Sequence, residues 1–236
     1  MSSCFQFRQF SIKQEINSQK VGTDSMLLGA WTSSNFKHIL DIGTGTGILA
    51  LMMAQKNPDA KIFAIEPDKD SCLEASLNFA NSVFSKRINP VSTSLQEFTS
   101  TEKFDLIICN PPYFENSTLS EDEARNRARH TTSLPIPDLY KKVSHLLEQQ
   151  GRFNLIIPFE QESAHVKAAE KEHLYPVEIL RTKREDNIFK RSLISFSNSK
   201  ESMKEEAIVV KFSNNKYSKE YISITKDFYL KDLSSE

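Results

Sequence analysis

The fold of this chain is decided by the stretch HILDIGTGTGILALMMAQK, residues 38–56. Its first five residues predict a buried strand, because short apolar runs bounded by turn residues are typical of strands inside a sheet. Three glycines follow, and the apolar residues 48–56 predict a helix that Asn57 and Pro58 end. A strand, a glycine-rich turn and a helix open a doubly wound α/β fold, so we expect a mostly parallel sheet.

The spacing of the glycines separates this turn from the dinucleotide-binding pattern, which needs glycine at its first, third and sixth positions. Here Gly43, Gly45 and Gly47 occupy the first, third and fifth positions. Asp41 comes just before them, and its carboxylate would repel a pyrophosphate but suits a cation or an amino group. The pattern favours S-adenosylmethionine, which carries an ammonium and a sulfonium and has no phosphate. A tight turn that only closes a strand onto its helix is the alternative.

Two later segments would complete a cofactor site around this turn. Residues 61–66 predict the second strand, and Glu66 ends it about twenty residues after the glycines, where a carboxylate can bind both hydroxyls of a ribose. An exposed acid at a strand end is the alternative for Glu66. A weak third strand, 87–92, precedes Ser94 and Leu95, which can edge and cover an adenine ring or simply pack within a loop.

A second chemical motif ends the fourth predicted strand, 104–110, where Asn110 is followed by Pro111, Pro112 and Tyr113. Proline cannot donate to a strand ladder, so the strand must end there. The Asn110 amide oxygen and the Pro111 carbonyl both accept hydrogen bonds, and together they can hold the two hydrogens of an exocyclic NH2 group. Tyr113 offers an aromatic face for a base. A Pro-Pro turn with a core aromatic is the structural alternative.

The two motifs are expected to lie side by side. Ligands of open α/β sheets bind at the carboxyl ends of the strands, and the glycine turn and Asn110 both follow predicted strands. This arrangement would place a methyl donor beside an amino acceptor. We expect no covalent nucleophile, because Cys109 falls inside the strand.

The remaining sequence predicts a single domain with additions. We expect residues 1–35 to form an N-terminal extension that packs on the main domain, 36–236. A helix after residue 66 carries an apolar stripe that predicts core packing, namely Leu73, Leu77, Ala80 and Phe84. Further predicted elements are one or two short strands or a hairpin at 4–16, helices at 137–149 and 159–173, and strands at 151–158, 177–182, 191–196, 207–212 and 217–230.

Composition limits the classes of function. The chain has 236 residues with 30 basic and 31 acidic side chains, which argues against a protein that coats nucleic acid but not against an enzyme with its positive charge on one face. No apolar stretch approaches the ~18 residues of a membrane span, and we expect no signal peptide and a cytoplasmic protein. The 3 cysteines and 5 histidines lack the spacing of metal ligands, so no metal is expected.

Basic residues in two segments are candidates for contact with RNA phosphates. They are Arg125, Arg127 and Arg129 in the polar connection 115–133, and Lys183, Arg184, Lys190 and Arg191 around a turn between two late strands. Pairing with nearby acids explains the arginines of 115–133 about equally well, and surface solvation is the usual state of charges such as the second group. Near the start of the chain, Gly22 marks a turn, and Thr23 or Asp24 can N-cap a short helix beside the site. The exposed N-terminus of that helix is equally a binding position.

Together these motifs resemble the class I S-adenosylmethionine-dependent methyltransferases that act on amino groups. Residues 41–47 match the cofactor motif of that class and residues 110–113 its catalytic motif. The nearer resemblance is to the bacterial tRNA1(Val) adenine N6-methyltransferase family. It rests on the segments Lys20–Trp31, Ala128–Thr131, Lys190–Ser197 and Asp227–Leu230, and it covers nearly the whole chain.

The resemblance implies a Rossmann-like, mostly parallel seven-stranded sheet with a short N-terminal β extension. It also implies N6-methylation of adenosine 37 of a valine tRNA by direct transfer, with contributions to the cofactor site from the segment that holds Lys20 and Thr23 and from Asn110. A monomer is expected. One departure is visible, because related enzymes often hold the cofactor adenine with an acid where this chain has Ser94; either Ser94 or Glu97 makes that contact, or it is missing.

Other functions share some of these features. A release-factor glutamine N5-methyltransferase usually carries a helical N-terminal domain, and only about forty residues precede Asp41 here. A DNA adenine methyltransferase usually has a sizeable recognition domain. An rRNA guanine N2-methyltransferase remains open, since guanine also has an exocyclic amine. The glycine spacing and residues 110–113 speak against a nicotinamide oxidoreductase. A non-catalytic RNA-binding relic stays open as an alternative, although both halves of the site are intact.

Overall fold

A computed structural model describes residues 4–15, 21–111, 134–230 and 233 of the chain. The predicted N-terminal hairpin is confirmed: β1 (Cys4–Gln6) and β2 (Ser11–Lys13) pair antiparallel. Helix α1 (Thr23–Trp31) follows. Gly22 precedes this helix and no side chain caps it, so the prediction that Thr23 or Asp24 forms the N-cap is wrong.

Strands and helices then alternate along the chain. The first half contains β3 (His38–Ile42), α2 (Ile48–Lys56), β4 (Lys61–Glu66), α3 (Lys69–Ala80), β5 (Ile88–Ser92) and β6 (Phe104–Cys109). The second half contains α4 (Ile136–Leu146), β7 (Leu147–Pro158), α5 (Glu162–Lys171), β8 (Tyr175–Lys183), β9 (Phe189–Ser197), β10 (Lys204–Val209) and α6 (Lys219–Thr225). The alternation confirms the α/β class.

The main sheet has eight strands within the described residues, in the order β10-β8-β9-β7-β6-β3-β4-β5. Only β9 runs antiparallel to its neighbours β7 and β8, so the sheet is mostly parallel as predicted. The predicted number of seven strands is wrong. The eighth strand, β10, pairs in parallel with β8 and covers backbone groups that would otherwise form an open sheet edge.

Two further predictions fail for packing reasons. The expected strand at 217–230 is instead the short helix α6, which Ser218 begins by accepting a hydrogen bond from the Tyr221 amide. The predicted apolar stripe is only partly buried: Leu73 and Leu77 of α3 are 55% and 51% exposed, whereas Phe84, just beyond the helix, lies in the core as expected. The buried face of α3 carries Cys72, Ala75 and Phe79 among other residues. Helical spacing showed that a stripe exists but not which face meets the sheet.

Two apolar cores lie on the two faces of the sheet. Helices α1, α2, α3 and α6 and the N-terminal hairpin contribute side chains to one core, and α4 and α5 contribute to the other. The hairpin aromatics Phe5, Phe7 and Phe10 pack against each other and reach Phe84 and Tyr229. The domain boundary at residue 35 stays a prediction. No helix of the described residues is long and apolar enough to cross a membrane.

Candidate active site at the carboxyl ends of the strands

The glycine turn and Asn110 lie at one rim because β3 and β6 are adjacent parallel strands. Ile42 is paired with Cys109, so the next residues, Gly43 and Asn110, leave neighbouring strands at the same level. The end of β4 lies on the other side of β3. Three segments that are far apart in sequence therefore meet at this rim.

The glycine turn needs glycine for two different reasons. Gly43, Gly45 and Gly47 have φ angles of 67°, 55° and 86°, a left-handed region that disfavours other residues. A Cβ atom on Gly47 would lie 2.4 Å from the Phe79 ring, so this glycine also permits the close approach of α3. A Cβ atom on Gly43 would meet nothing within 4 Å. The turn is thus closely packed at Gly47 and open at Gly43, where a ligand can approach the backbone.

Asp41 lies beneath the turn and is 0% exposed. Its Oδ2 accepts hydrogen bonds from the Thr44 hydroxyl at 2.6 Å and the Ala50 amide at 3.1 Å, which ties the turn to the start of α2. Its Oδ1 has no partner among the described residues. Burial raises the pKa of Asp41 to about 7, Thr44 and Ala50 act against this rise, and Glu66 adds to it. A nearby positive charge would stabilise the carboxylate.

Glu66 connects the end of β4 to the glycine turn. One carboxylate oxygen accepts the Gly45 amide at 3.0 Å and the other accepts the Asp68 amide at 3.1 Å. The side chain is largely buried, so its position is well defined. A carboxylate oxygen accepts more than one hydrogen bond, which suits Glu66 to contact with ribose hydroxyls.

The segment after β5 brings the two candidates for the adenine contact together. The Ser94 hydroxyl donates to Glu97 at 3.1 Å, and the Glu97 amide donates back to Ser94. Leu95 is buried between them, while the Thr93 amide bonds the Glu66 carbonyl. Ser94 and Glu97 thus form one polar unit next to the end of β4.

Asn110 and Pro111 come directly after β6, and both are half-buried. We call this pair the acceptor lip, because the Asn110 amide oxygen and the Pro111 carbonyl can accept hydrogen bonds. The Asn110 side-chain nitrogen donates to the Ser25 hydroxyl of α1 at 2.8 Å. Cys109 points into the core. Burial, with the charges of Asp41 and Glu66, raises the pKa of the Cys109 thiol, so it stays protonated and is no nucleophile.

The basic residues around the β8–β9 turn do not share one environment. Arg191 forms an ion pair with Asp24 of α1 at 2.8 Å, which ties β9 to the helix that carries Ser25. Lys183 donates to Asn187 within the turn. Arg184 and Lys190 are exposed. Thr23 is exposed at the first position of α1, directly before Asp24.

Several predicted site residues lie outside the described residues. They are Lys20, Pro112, Tyr113, Arg125, Arg127 and Arg129. Among the described residues, no three His, Cys, Asp or Glu side chains are grouped so that they could hold a metal ion.

Sequence reasoning missed Asn78 and Ser25. The buried Asn78 side chain of α3 donates to the Thr46 carbonyl at 2.9 Å and exchanges two hydrogen bonds with the Lys13 backbone, so it joins the glycine turn to the hairpin. A polar residue at a core position of a helix is the signal that could have identified Asn78. Ser25 has no such signal, because serine is ordinary in a first helical turn.

The described side chains fit S-adenosylmethionine. The buried Asp41 oxygen and the Glu66 carboxylate make the rim negative, which suits a cofactor with an ammonium and a sulfonium. The open backbone at Gly43 leaves room for it. A pyrophosphate would instead be repelled by the Glu66 carboxylate, with Asp41 buried behind the turn.

Comparison with known proteins identifies the class and then the family. The family model of the methyltransferase small domain matches residues 18–190. A relative from Flavobacterium psychrophilum named tRNA1(Val) (adenine(37)-N6)-methyltransferase is 40% identical over 96% of this chain and 99% of its own length. One of the same name from Parabacteroides distasonis is 42% identical over 96% of this chain and 98% of its own.

The chain therefore belongs to the small-domain methyltransferases and, among them, to the family of these tRNA1(Val) (adenine(37)-N6)-methyltransferases. It is an S-adenosylmethionine-dependent methyltransferase, and S-adenosylmethionine is its expected cofactor. The fold also matches a predicted O-methyltransferase from Agrobacterium tumefaciens, with a TM-score of 0.69 and 17% identity over 87% of this chain and 96% of that one. This likeness supports the Rossmann-like fold alone.

Proposed function

We propose that this protein transfers a methyl group from S-adenosylmethionine to the exocyclic N6 amine of adenosine 37 in a valine tRNA. The observation that carries the proposal is the placement of Asn110 and the glycine turn after paired residues of adjacent strands. The names of the full-length relatives support this substrate.

The proposed chemistry depends on positioning. The target adenosine leaves its stack, at a cost of a few kcal/mol, and enters the rim beside Asn110. The Asn110 Oδ1 and the Pro111 carbonyl accept the two N–H groups of the amine, which aims the nitrogen lone pair. S-adenosylmethionine supplies an electrophilic methyl: an N–C bond forms as the C–S bond breaks, sulfur keeps the electron pair, and the nitrogen then releases one proton to water.

We assign the cofactor contacts to residues of the glycine turn and its neighbours. Glu66 binds the ribose hydroxyls. The methionine part of the cofactor lies along the backbone of Gly43, Gly45 and Gly47. The adenine is bordered by Ser94 and Leu95. Asp41 is fully buried, so it acts through its charge and through the shape of the turn rather than by an exposed contact. We also assign Lys20 and Thr23 to the cofactor contacts.

The tRNA would lie across the rim toward the β8–β9 turn. Lys183, Arg184 and Lys190 lie in or beside that turn, whereas Arg191 is also committed to Asp24. The proposal also includes contacts to RNA phosphates by Arg125, Arg127 and Arg129. It assigns Tyr113 to stacking on the target base. The protein would act on tRNA in the cytoplasm. We propose that it is a monomer, and light scattering of the purified chain checks its molar mass.

The test is methyl transfer from labelled S-adenosylmethionine to tRNA that lacks this modification. Wild-type protein should yield N6-methyladenosine in digested tRNA, and a valine tRNA transcript with guanosine at position 37 should stay unlabelled. Asn110→Ala should lower the rate about a hundredfold or more, because it removes a positioned acceptor, with cofactor binding largely kept. A matched control is Asn198→Ala, whose side chain bonds backbone far from this rim.

Other outcomes would replace the proposal. Label in rRNA guanine or in a release factor, with none in tRNA, would identify the corresponding methyltransferase. Cofactor binding without transfer to any of these substrates would indicate a non-catalytic RNA-binding protein. Label in tRNA at another adenosine would keep the chemistry and change the site.

A further inference from the structure

The catalytic amide is held by a residue that lies far away in the sequence. The Asn110 side-chain nitrogen donates to the Ser25 hydroxyl at 2.8 Å across 85 residues of chain. Both side chains are half-buried at the rim, so the contact is partly shielded from water and lies next to the acceptor lip.

The orientation of this amide matters for the chemistry. An asparagine side chain has an acceptor oxygen at one end and a donor nitrogen at the other. The target amine presents two N–H donors, so the oxygen must face it; the nitrogen in the same place would oppose two donors. Because the amide is planar, a hydrogen bond that holds Nδ2 on one side directs Oδ1 to the other.

Ser25 can serve as a fixed reference point because α1 is anchored along its length. Asp24, the preceding residue, pairs with Arg191 of β9. Residues 26–30 are buried. At the end of the helix, the Lys56 ammonium donates to the carbonyls of Ala30 and Thr32, which holds α1 against α2.

The packing of α1 against α2 is also close. A Cβ atom on Gly29 would lie 2.5 Å from the Met52 sulfur, so the two helices touch through backbone and side chain at this point. A hydroxyl on such a helix keeps its place when the acceptor base enters or leaves.

We infer that Ser25 is a positioning residue for methyl transfer: its hydroxyl accepts the hydrogen bond from Asn110 Nδ2 and thereby turns Oδ1 toward the acceptor amine. This inference rests on the proposed function for the identity of the amine. Ser25 acts through Asn110, so its loss slows the transfer step and leaves cofactor binding unchanged.

The kinetic test compares Ser25→Ala with Ser25→Thr, which keeps the hydroxyl. Ser25→Ala should lower kcat about tenfold, the effect of one lost neutral hydrogen bond, with less than about a twofold change in the affinity for S-adenosylmethionine. Ser25→Thr should recover kcat to within about threefold of wild type. Ser34→Ala, an exposed serine just beyond α1, is the matched control and should behave as wild type.

A second measurement needs no substrate. Selective 15N-asparagine labelling, with Asn110→Ala to assign the signal, reports hydrogen exchange at the Asn110 side-chain amide. Exchange should be slower in wild type and Ser25→Thr than in Ser25→Ala. Thermal unfolding of each variant checks that the fold is intact.

The outcomes separate the inference from the proposed function. Equal kcat and equal amide exchange in wild type and Ser25→Ala would overturn the role of Ser25 and leave the tRNA activity standing. A loss of cofactor affinity in Ser25→Ala, or no recovery in Ser25→Thr, would also overturn it. If wild type fails on tRNA yet Ser25→Ala releases the amide, the proposed substrate is wrong and the positioning of Asn110 by Ser25 stands.

Discussion

The glycine turn and the Asn110 lip lie side by side on neighbouring strands, but their side chains are held in different ways. In the turn, Asp41 bonds Thr44 three residues away, and Glu66 bonds Gly45 across 21 residues. Asn110 is held by Ser25 across 85 residues, and the neighbouring Asp24 pairs with Arg191 across 167. The bonds of Asp41 to Thr44 and of Glu66 to Gly45 lie within one β–α–β unit, whereas the lip is assembled only when distant segments pack.

This difference predicts how substitutions divide between binding and turnover. Changes in the turn should affect folding and cofactor affinity, since its contacts shape a compact local unit. Changes around the lip should affect the rate of transfer, since its contacts orient the Asn110 side chain and do not form the cofactor site. Substitutions on the two sides of the rim can test this division.

Gly47→Ala should have the largest effect. It combines a φ of 86° with a Cβ atom 2.4 Å from Phe79, and it should lower the free energy of unfolding by about 3 kcal/mol or more. Thermal unfolding should then shift down by roughly 6–12 °C for a chain of this size. Gly43→Ala shares the backbone strain but has open space, so its unfolding should shift less while S-adenosylmethionine affinity falls. Equal thermal shifts in the two variants would contradict the distinction.

Glu66→Gln should weaken S-adenosylmethionine binding by about ten- to a hundredfold. The neutral amide loses the charge that attracts the cofactor and presents a donor nitrogen to the Gly45 or Asp68 amide. The transfer rate at saturating cofactor should stay within about threefold, as expected for lost binding alone. Calorimetric titration gives the affinity, and Glu102→Gln, an exposed acid paired with Lys61, is the control. A fall in saturated rate with unchanged affinity would place Glu66 on the acceptor side instead.

Asp41 should make cofactor affinity depend on pH. Its pKa of about 7 lies above the unfolded value near 4, so between these pH values only the unfolded chain releases the proton. The free energy of unfolding therefore falls as pH rises from about 4 to about 7, and this contribution is constant above. A positively charged cofactor favours the ionised carboxylate, so its affinity should rise about tenfold between roughly pH 6 and pH 8.

Asp41→Asn is the control for this pH dependence. The variant should show a flatter affinity profile and lack the fall in stability between about pH 4 and pH 7, since the amide does not titrate. Isothermal titration with S-adenosylmethionine at several pH values measures the first effect, and chemical unfolding of the free protein measures the second. A slope that survives in Asp41→Asn would have to come from another group.

Arg191→Gln should have the smallest effect. The Arg191–Asp24 pair is about one-quarter exposed at each side chain, and such pairs contribute about 0–1 kcal/mol. We expect kcat to fall about two- to threefold, because the start of α1 loosens and Ser25 is held less firmly, with S-adenosylmethionine affinity unchanged. The matched variant Arg152→Gln breaks an ion pair with Glu201 elsewhere on the sheet and should leave kcat unchanged. A loss of cofactor affinity in Arg191→Gln would show that the two sides of the rim are not separable.

Local patterns in the sequence identified most of the turn side. The glycine spacing, the acid at the end of β4 and the apolar strand before each motif all act over a few residues, so their geometry follows from chain properties. The same patterns failed where packing decides. Helical spacing on α3 predicted a buried stripe at Leu73 and Leu77, and the sheet instead covers the face that carries Phe79.

The α/β class, the glycine turn with Glu66 at its border, and Asn110 at the end of a buried strand follow from the sequence alone, because strand and helix periods and proline geometry are local properties. The place of β10 beside β8 in the main sheet, the helix α6 at the C-terminal end, the Asn110–Ser25 hydrogen bond and the Arg191–Asp24 ion pair are known from the tertiary structure alone. These features depend on which strand edge stays open and which distant side chains meet. The local sequence of each segment does not indicate which distant segment it will contact.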